Sequence, residues 1–309
     1  MANDHYVPQF YLKNFSPTGA KGKVWYYERN QQPHLKGIKS IASEENFYSF
    51  IDETTGDLNT DVEKFYDKET ENPTAPIIKK IIGMDQLKLS GKEHQIVAVF
   101  IAHLISRNPR YRVAQNKFLE NSDTYLRFLD NEELFIKSMQ DLGVTEEEAR
   151  ESLAVAREDP EAVIDRLVND DGELAVKGAL LAGMDNASVV PSREWQLIES
   201  DSSRVFVTSD NPVLAIHASG NLSMIPKSFF SEIVCLPICP SKALVLSRGN
   251  GFGKTLKVNR EIVDRINKYT MHFAYSSVYA NLRSKDIQEA FDATPSIEDQ
   301  EKLFFKVGN

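Results

Sequence analysis

SGKEHQIVAVFIAHLISRNPRYR (residues 90–112) carries the clearest helical stripe in the chain. Ile96, Val97, Phe100, Ile101, Leu104 and Ile105 recur at the three- and four-residue spacing of one helix face. Ser90 followed by Glu93 is a capping-box pattern that starts this helix, and Pro109 ends or bends it. Toward the C-terminus the helical pattern continues to about residue 190. It includes a second capping box at Thr145–Glu148, a helix start at Asp159–Pro160 and the small-residue run ELAVKGALLAGMDNASVV (173–190). From Arg193 the period switches to two, through REWQLIES, RVFVTSD, PVLAIHA, EIVCLPICP and ALVLSRG. A helix over 259–271, a strand at SSVYANL (276–282) and a terminal helix over 296–309 follow. Toward the N-terminus, VWYYER (24–29) and ENFYSF (45–50) read as strands. Thr60 with Glu63 predicts a further capped helix through Val62, Phe65 and Tyr66. Strands, a helical middle and strands again predict an α+β fold, with N- and C-terminal strands in a mixed or antiparallel sheet packed against the helices. Three regions result: 1–119 with the long helix, an acidic helical 120–190, and a β-rich 191–309 that completes the same core.

The 309 residues are 41% hydrophobic and 26% charged, which excludes a disordered chain, a collagen-like fibre and a disulfide scaffold. The formal net charge of −9 argues at first against a nucleic-acid partner. That charge is local. Residues 120–175 hold 17 Asp and Glu against 5 Lys and Arg, so the rest of the chain is slightly basic and the objection weakens. The acidic segment itself suits a basic protein partner. Cys235 and Cys239 lack His or Asp neighbours at metal spacing and read as small core residues of a reducing compartment. With no signal-peptide pattern and no apolar run of membrane-spanning length, the expected location is the cytoplasm, with no membrane partner.

HYVPQFYLKNFS (5–16) is the most specific string. It resembles the signature of an uncharacterised, mainly bacterial family catalogued as domain of unknown function 4238. ASEENFYSF (42–50), SRNP (106–109) and FVTSDNPV (206–213) resemble three further motifs of that family in the same order, with Asn108 departing at its position. The resemblance spans nearly the whole chain and supplies a shortlist of positions, but no reaction.

His5 is the histidine best placed for acid–base work, with Gln9 as an orienting group, although a histidine docking the N-terminal segment onto backbone is the structural alternative. Asp210, in Thr208-Ser209-Asp210-Asn211-Pro212, is either a turn former or a strand-end carboxylate that orients His5 or contacts a ligand, with Ser209 and Asn211 beside it. Arg107, late in the long helix, either complements the helix dipole or clamps an anion, with Arg110 and Arg112 extending the patch. Glu44 and Glu45 are either exposed strand-end carboxylates or acids and metal ligands, with Glu45 the metal candidate and Mg²⁺ or Mn²⁺ the ion that such a ligand would take. Glu63, Asp67, Glu69 and Glu71 read as a solvated helix face. His94 and His103 point some 180° apart on one helix at ~100° per residue, so they cannot share a metal. RGNGFGKT (248–255) lacks the first glycine of a phosphate loop and reads as a glycine-rich turn.

Polar, chemically able residues set in apolar motifs from distant parts of the chain point to an enzyme acting on a phosphate-containing substrate. The expectation is a metal-dependent phosphodiester hydrolase, that is, a nuclease acting on nucleic acid or a nucleotide, in a defence or toxin role. The alternative is a non-catalytic sensor or interaction module whose acidic helices form the binding face.

Overall fold

Lys23–Glu28 (β2) pairs antiparallel with Ser277–Ala280 (β14), so strands from the two ends of the chain lie side by side. The structure is a computed structural model that describes residues 3–51, 56–113, 122–141, 145–160, 173–201, 203–216, 233–249 and 251–296. His34–Gly37 (β3) flanks β2 and Thr208–Ser209 (β8) flanks β14, giving a four-stranded antiparallel sheet in the order β3-β2-β14-β8. A second sheet is built from C-terminal strands alone: Glu194–Ser200 (β7), Leu214–Ile216 (β9), Ile233–Cys239 (β10) and Lys242–Ser247 (β11). Gly251–Phe252 (β12) and Leu256–Val258 (β13) add to β7 in parallel, so this sheet is mixed. The α+β expectation therefore holds, with the terminal strands meeting in one sheet as anticipated. Asn3–His5 (β1) pairs with Ser43–Glu45 (β4), and Phe50–Ile51 (β5) with Leu58–Asn59 (β6).

The N-terminal signature is mostly core. Gln9–Leu12 (α1) buries Tyr11 and Leu12 together with Tyr6, Val7 and Phe15. The Tyr11 hydroxyl donates to Pro237 O at 2.5 Å and accepts from Thr208 Oγ1 at 2.8 Å, tying this segment to β10 and β8. Asp61–Phe65 (α2) runs through a π-helical turn, Tyr66–Glu71, into Asn72–Ile82 (α3). Gly91–Ser106 (α4) is the long helix. Ser90 accepts the Glu93 amide, Glu93 returns to the Ser90 amide, and the apolar stripe packs against the second sheet. The helix ends at Arg107 and resumes over 109–113. Asn108 bridges the break, donating to Ile105 O at 2.7 Å and accepting from the Tyr111 amide at 3.1 Å.

Ser122–Asp130 (α5), Glu132–Asp141 (α6) and Glu146–Glu158 (α7) enclose a small core of their own around Leu129, Phe135, Leu153 and Ala156. Glu173–Val189 (α8) packs along α4. There Gly183 meets His103 so closely that a Cβ on the glycine would stand 2.0 Å from His103 Nδ1. Arg260–Phe273 (α9) and Lys285–Asp292 (α10) complete the chain.

Three local expectations are corrected. ENFYSF is not one strand: β4 ends at Glu45, Asn46 turns with φ of 55°, and β5 begins only at Phe50. Thr60 caps nothing with its side chain, its backbone lying at φ of −119° and ψ of 18° rather than in the extended form that Ser90 adopts. RVFVTSD contributes only the two residues of β8. Most of the terminal helix expected over 296–309 falls outside the described residues. Cys235 and Cys239 are buried and free, and RGNGFGKT leads into β12 and β13 rather than a helix. No described helix is long and apolar enough to cross a membrane.

Candidate functional site

Strand alternation in β1 separates the two residues that open the signature. Asp4 stands opposite Glu44 and His5 opposite Ser43 in the β1–β4 ladder, so their side chains leave opposite faces. Asp4 is fully buried, and its Oδ2 accepts the Tyr48 amide N–H at 2.9 Å. Its Oδ1 is buried without a hydrogen-bond partner among the described residues. Burial first, and then the nearby Asp4, raise the Glu63 carboxyl of α2 above its ordinary value. His5 faces the other way, among the backbone carbonyls of Asn3, Ile38 and Lys39. Burial lowers its pKa, and those carbonyls and Asp4 oppose the shift.

The side of β1 that bears Asp4 continues into a cluster of aromatic rings and cations. Tyr6, Phe47, Tyr48 and Tyr66 form a chain of ring contacts at centroid separations of 5.3, 5.0 and 4.8 Å. The Arg112 guanidinium lies 3.8 Å over Phe47, and Arg107 lies 4.7 Å over Tyr66. Arg112 also donates to Phe47 O, while Arg110 turns away to His272 O and the Phe273 ring. The three arginines therefore do not form the single patch that their spacing suggested.

Arg107 is the deepest charge of the cluster, with no exposed side-chain surface. Its Nη2 pairs with Glu71 Oε1 at 3.0 Å. Nε and Nη1 lack a hydrogen-bond acceptor among the described residues. The Tyr66 hydroxyl and His103 Nδ1 beside it are likewise buried without a partner there. Burial pulls the Arg107 pKa down, but Glu71, Tyr48 and Tyr66 outweigh it and the net direction is up. Burial raises Glu71 above its ordinary value against the pull of Arg107.

The π-turn explains why two glutamates that looked solvated face inward together. Eight residues at ~100° each would set Glu63 and Glu71 about 80° apart on an α-helix. The wider i→i+5 turn rotates less per residue and swings Glu71 back toward the line of Glu63, whose carboxyl feels it electrostatically. No one-dimensional pattern announces such a turn. The signal that was available, four acids in nine residues beside Phe65 and Tyr66, fits a solvated face equally well.

Asp210 is engaged in structure. Oδ1 accepts the Tyr275 amide at 2.7 Å, and Oδ2 accepts the Ser276 amide, the Ser276 hydroxyl and the Ser277 amide at 2.6, 2.9 and 2.8 Å. Asn211 donates to Phe273 O at 2.8 Å, and its own amide donates to Ser209 Oγ at 3.2 Å. The Thr-Ser-Asp-Asn-Pro turn thus clamps the α9–β14 connection, while His5 sits at the end of β1 with its Nε2 buried and without a hydrogen-bond partner among the described residues. Gln9 opens α1, half-buried. Glu45 is exposed at the end of β4, opposite Asn3. Among the described residues no three His, Cys, Asp or Glu side chains are grouped to hold a metal ion, so the residues around Glu45 do not assemble a Mg²⁺ or Mn²⁺ site.

No curated protein and no solved structure matches the chain. One family model does, over residues 3–284, a span that takes in β1, the π-turn, Arg107 and the Asp210 turn. The chain therefore belongs to the family described as "Protein of unknown function (DUF4238)".

Proposed function

We propose that this protein hydrolyses a phosphodiester bond, as a nuclease does, with Arg107 as the group that seats the phosphate. One observation carries the reading: a fully buried guanidinium that pairs with Glu71 through Nη2 and leaves Nε and Nη1 without an acceptor among the described residues. A buried donor without a partner costs about 1–3 kcal/mol, more when charged. A guanidinium matches a phosphate oxyanion bidentately, and the Tyr66 hydroxyl beside it adds a further donor. Arg112, half-buried over Phe47, supplies a second positive charge on the same side of β1. Asp210, Ser209 and Asn211 serve as the framework that fixes the sheet beneath. The substrate in this reading is a nucleic acid or nucleotide, and the location is cytoplasmic.

The test is incubation with RNA, with DNA and with bis(p-nitrophenyl) phosphate, with and without Mg²⁺ or Mn²⁺. The wild type is compared with Arg107→Lys and His5→Ala. Cleavage that falls at least 100-fold in Arg107→Lys is expected. Cleavage kept in Arg107→Lys and lost in His5→Ala would move the site to the opposite face of β1, and no cleavage of any substrate would refute the hydrolase.

A second reading, an interaction module, draws on the α5–α7 helices. They hold ten Asp and Glu against four Lys and Arg, with Leu134 and Val155 exposed among them. A basic amphipathic partner fits such a face. Binding of a cationic amphipathic peptide that is abolished by Glu147→Lys with Glu151→Lys would favour it.

A further inference from the structure

We propose that the cleft between α9 and α10 binds a small amphipathic anion, with its charged head at Lys268 and its apolar body along the cleft floor. The cleft has a volume of about 560 Å³, within the range of small-molecule sites. None of the residues that line it belongs to the cluster around Arg107, so the site is independent of the hydrolase reading.

Residue spacing makes the cleft. Asp264, Lys268 and Met271 stand at i, i+4 and i+7 on α9, and therefore share one face. Ile287, Ala290 and Ala293 follow at three-residue steps along α10 to its C-cap and form the opposing face. There α10 offers only methyl groups at Ala290 and Ala293, which leaves the gap open. Met271 and Ile287 belong to the packed cluster that also holds Tyr27 and Phe291, so the floor is set by the core. Val205 and Leu282 complete the apolar bed.

Charge is distributed unevenly along it. At one end Arg204 bridges the helices, with Nε 3.3 Å from Asp264 Oδ1 and Nη1 3.0 Å from Asp286 Oδ2. The other oxygen of Asp264 meets Arg260 Nε at 3.3 Å. An acid four residues before a lysine is the ordinary helical ion pair, but here arginines engage both Asp264 oxygens. Lys268 is left exposed, with no ion-pair partner among the described residues. Its end of the cleft is positive. Arg29 donates to Thr294 O at 3.1 Å, and Arg110 donates to His272 O at 3.3 Å. Burial first, and then Arg110, Arg29 and Lys268, lower the pKa of His272 to about 4, which places these three cations around one ring. Asp292 is turned to the Asn30 amide and to Gln288, at 2.7 Å each. An ammonium group beside an apolar bed selects a ligand with an anionic head and an apolar body. A cation is repelled there, and a wholly polar anion gains nothing from the floor.

Isothermal titration calorimetry of the full chain with decanoate tests the site, with decylamine and inorganic phosphate as comparison ligands. Decanoate should bind at least roughly tenfold more tightly than either. Lys268→Gln should weaken decanoate binding by roughly tenfold or more through the lost charged contact. Ala290→Leu keeps a good helix former, fills the cleft and should abolish binding. Arg265→Gln, on the same helix but outside the cleft and paired with Glu261, should leave the affinity unchanged. Unchanged circular dichroism melting shows that each variant folds. No decanoate binding by the wild type overturns the proposal, as does equal binding of decylamine or of phosphate. Decanoate binding that survives either Lys268→Gln or Ala290→Leu, or that falls as far in Arg265→Gln, overturns it as well.

Discussion

Asp210 Oδ2 accepts the Ser277 amide N–H at 2.8 Å, and that bond fastens the turn after β8 to the first residue of β14. Three other donors share the same carboxylate, so its loss strands three amides and a hydroxyl in the interior. Asp210→Ala should cost roughly 3 kcal/mol or more, and Asp210→Asn, which keeps one acceptor, about 1–3 kcal/mol. Urea unfolding with an unchanged m-value checks both.

Gly183 of α8 lies directly against the His103 ring of α4. The conflict there is with a buried ring rather than a flexible chain end. Gly183→Ala should therefore lower stability by about 1–3 kcal/mol. Combining it with His103→Ala should cost less than the sum of the two single changes, because the obstructing ring is gone. Thermal melts of the four proteins give the coupling.

Burial lowers the pKa of His103 to about 4, and the nearby Arg107 charge adds to the shift. The folded form thus resists protonation that the unfolded chain accepts near pH 6.5. Between those values the unfolded state binds more protons, so stability is full above about pH 6.5 and falls as the pH drops toward 4. The contribution at stake is up to about 3 kcal/mol. His103→Gln should flatten that difference when urea midpoints at pH 4.5 and 7.5 are compared with the wild type.

Ser90 and Thr60 open the same sequence pattern and meet different fates. Ser90→Ala should cost about 1 kcal/mol, since its hydroxyl holds the Glu93 amide, whereas Thr60→Ala should change the urea midpoint far less.

That contrast shows what the chain spells out and what it conceals. Periodicity located α4, α8, α9 and the strands of the second sheet, because burial of one face writes itself into spacing. The SRNP and Thr-Ser-Asp motifs were also visible, as was Arg107. Its neighbours were not. Asp4 sits one residue before the eye-catching His5, and only the β1–β4 register shows which of the two faces inward. Glu63 and Glu71 read as solvent-facing until a π-turn rotates them. Site geometry here depends on tertiary register, which a linear pattern does not encode.

The side chains of Ser277 and Tyr26 bond at a separation of 251 positions, within the ladder that joins β2 to β14. A ribosome must therefore extrude the chain through β14 before the sheet beside the N-terminal signature can close. Until then β2 has an unpaired edge and Tyr11 lacks its partners in β8 and β10. A nascent chain that stops short of β14 consequently lacks the scaffold on which Asp4 and Arg107 are held, and any activity seated there waits until β14 is made.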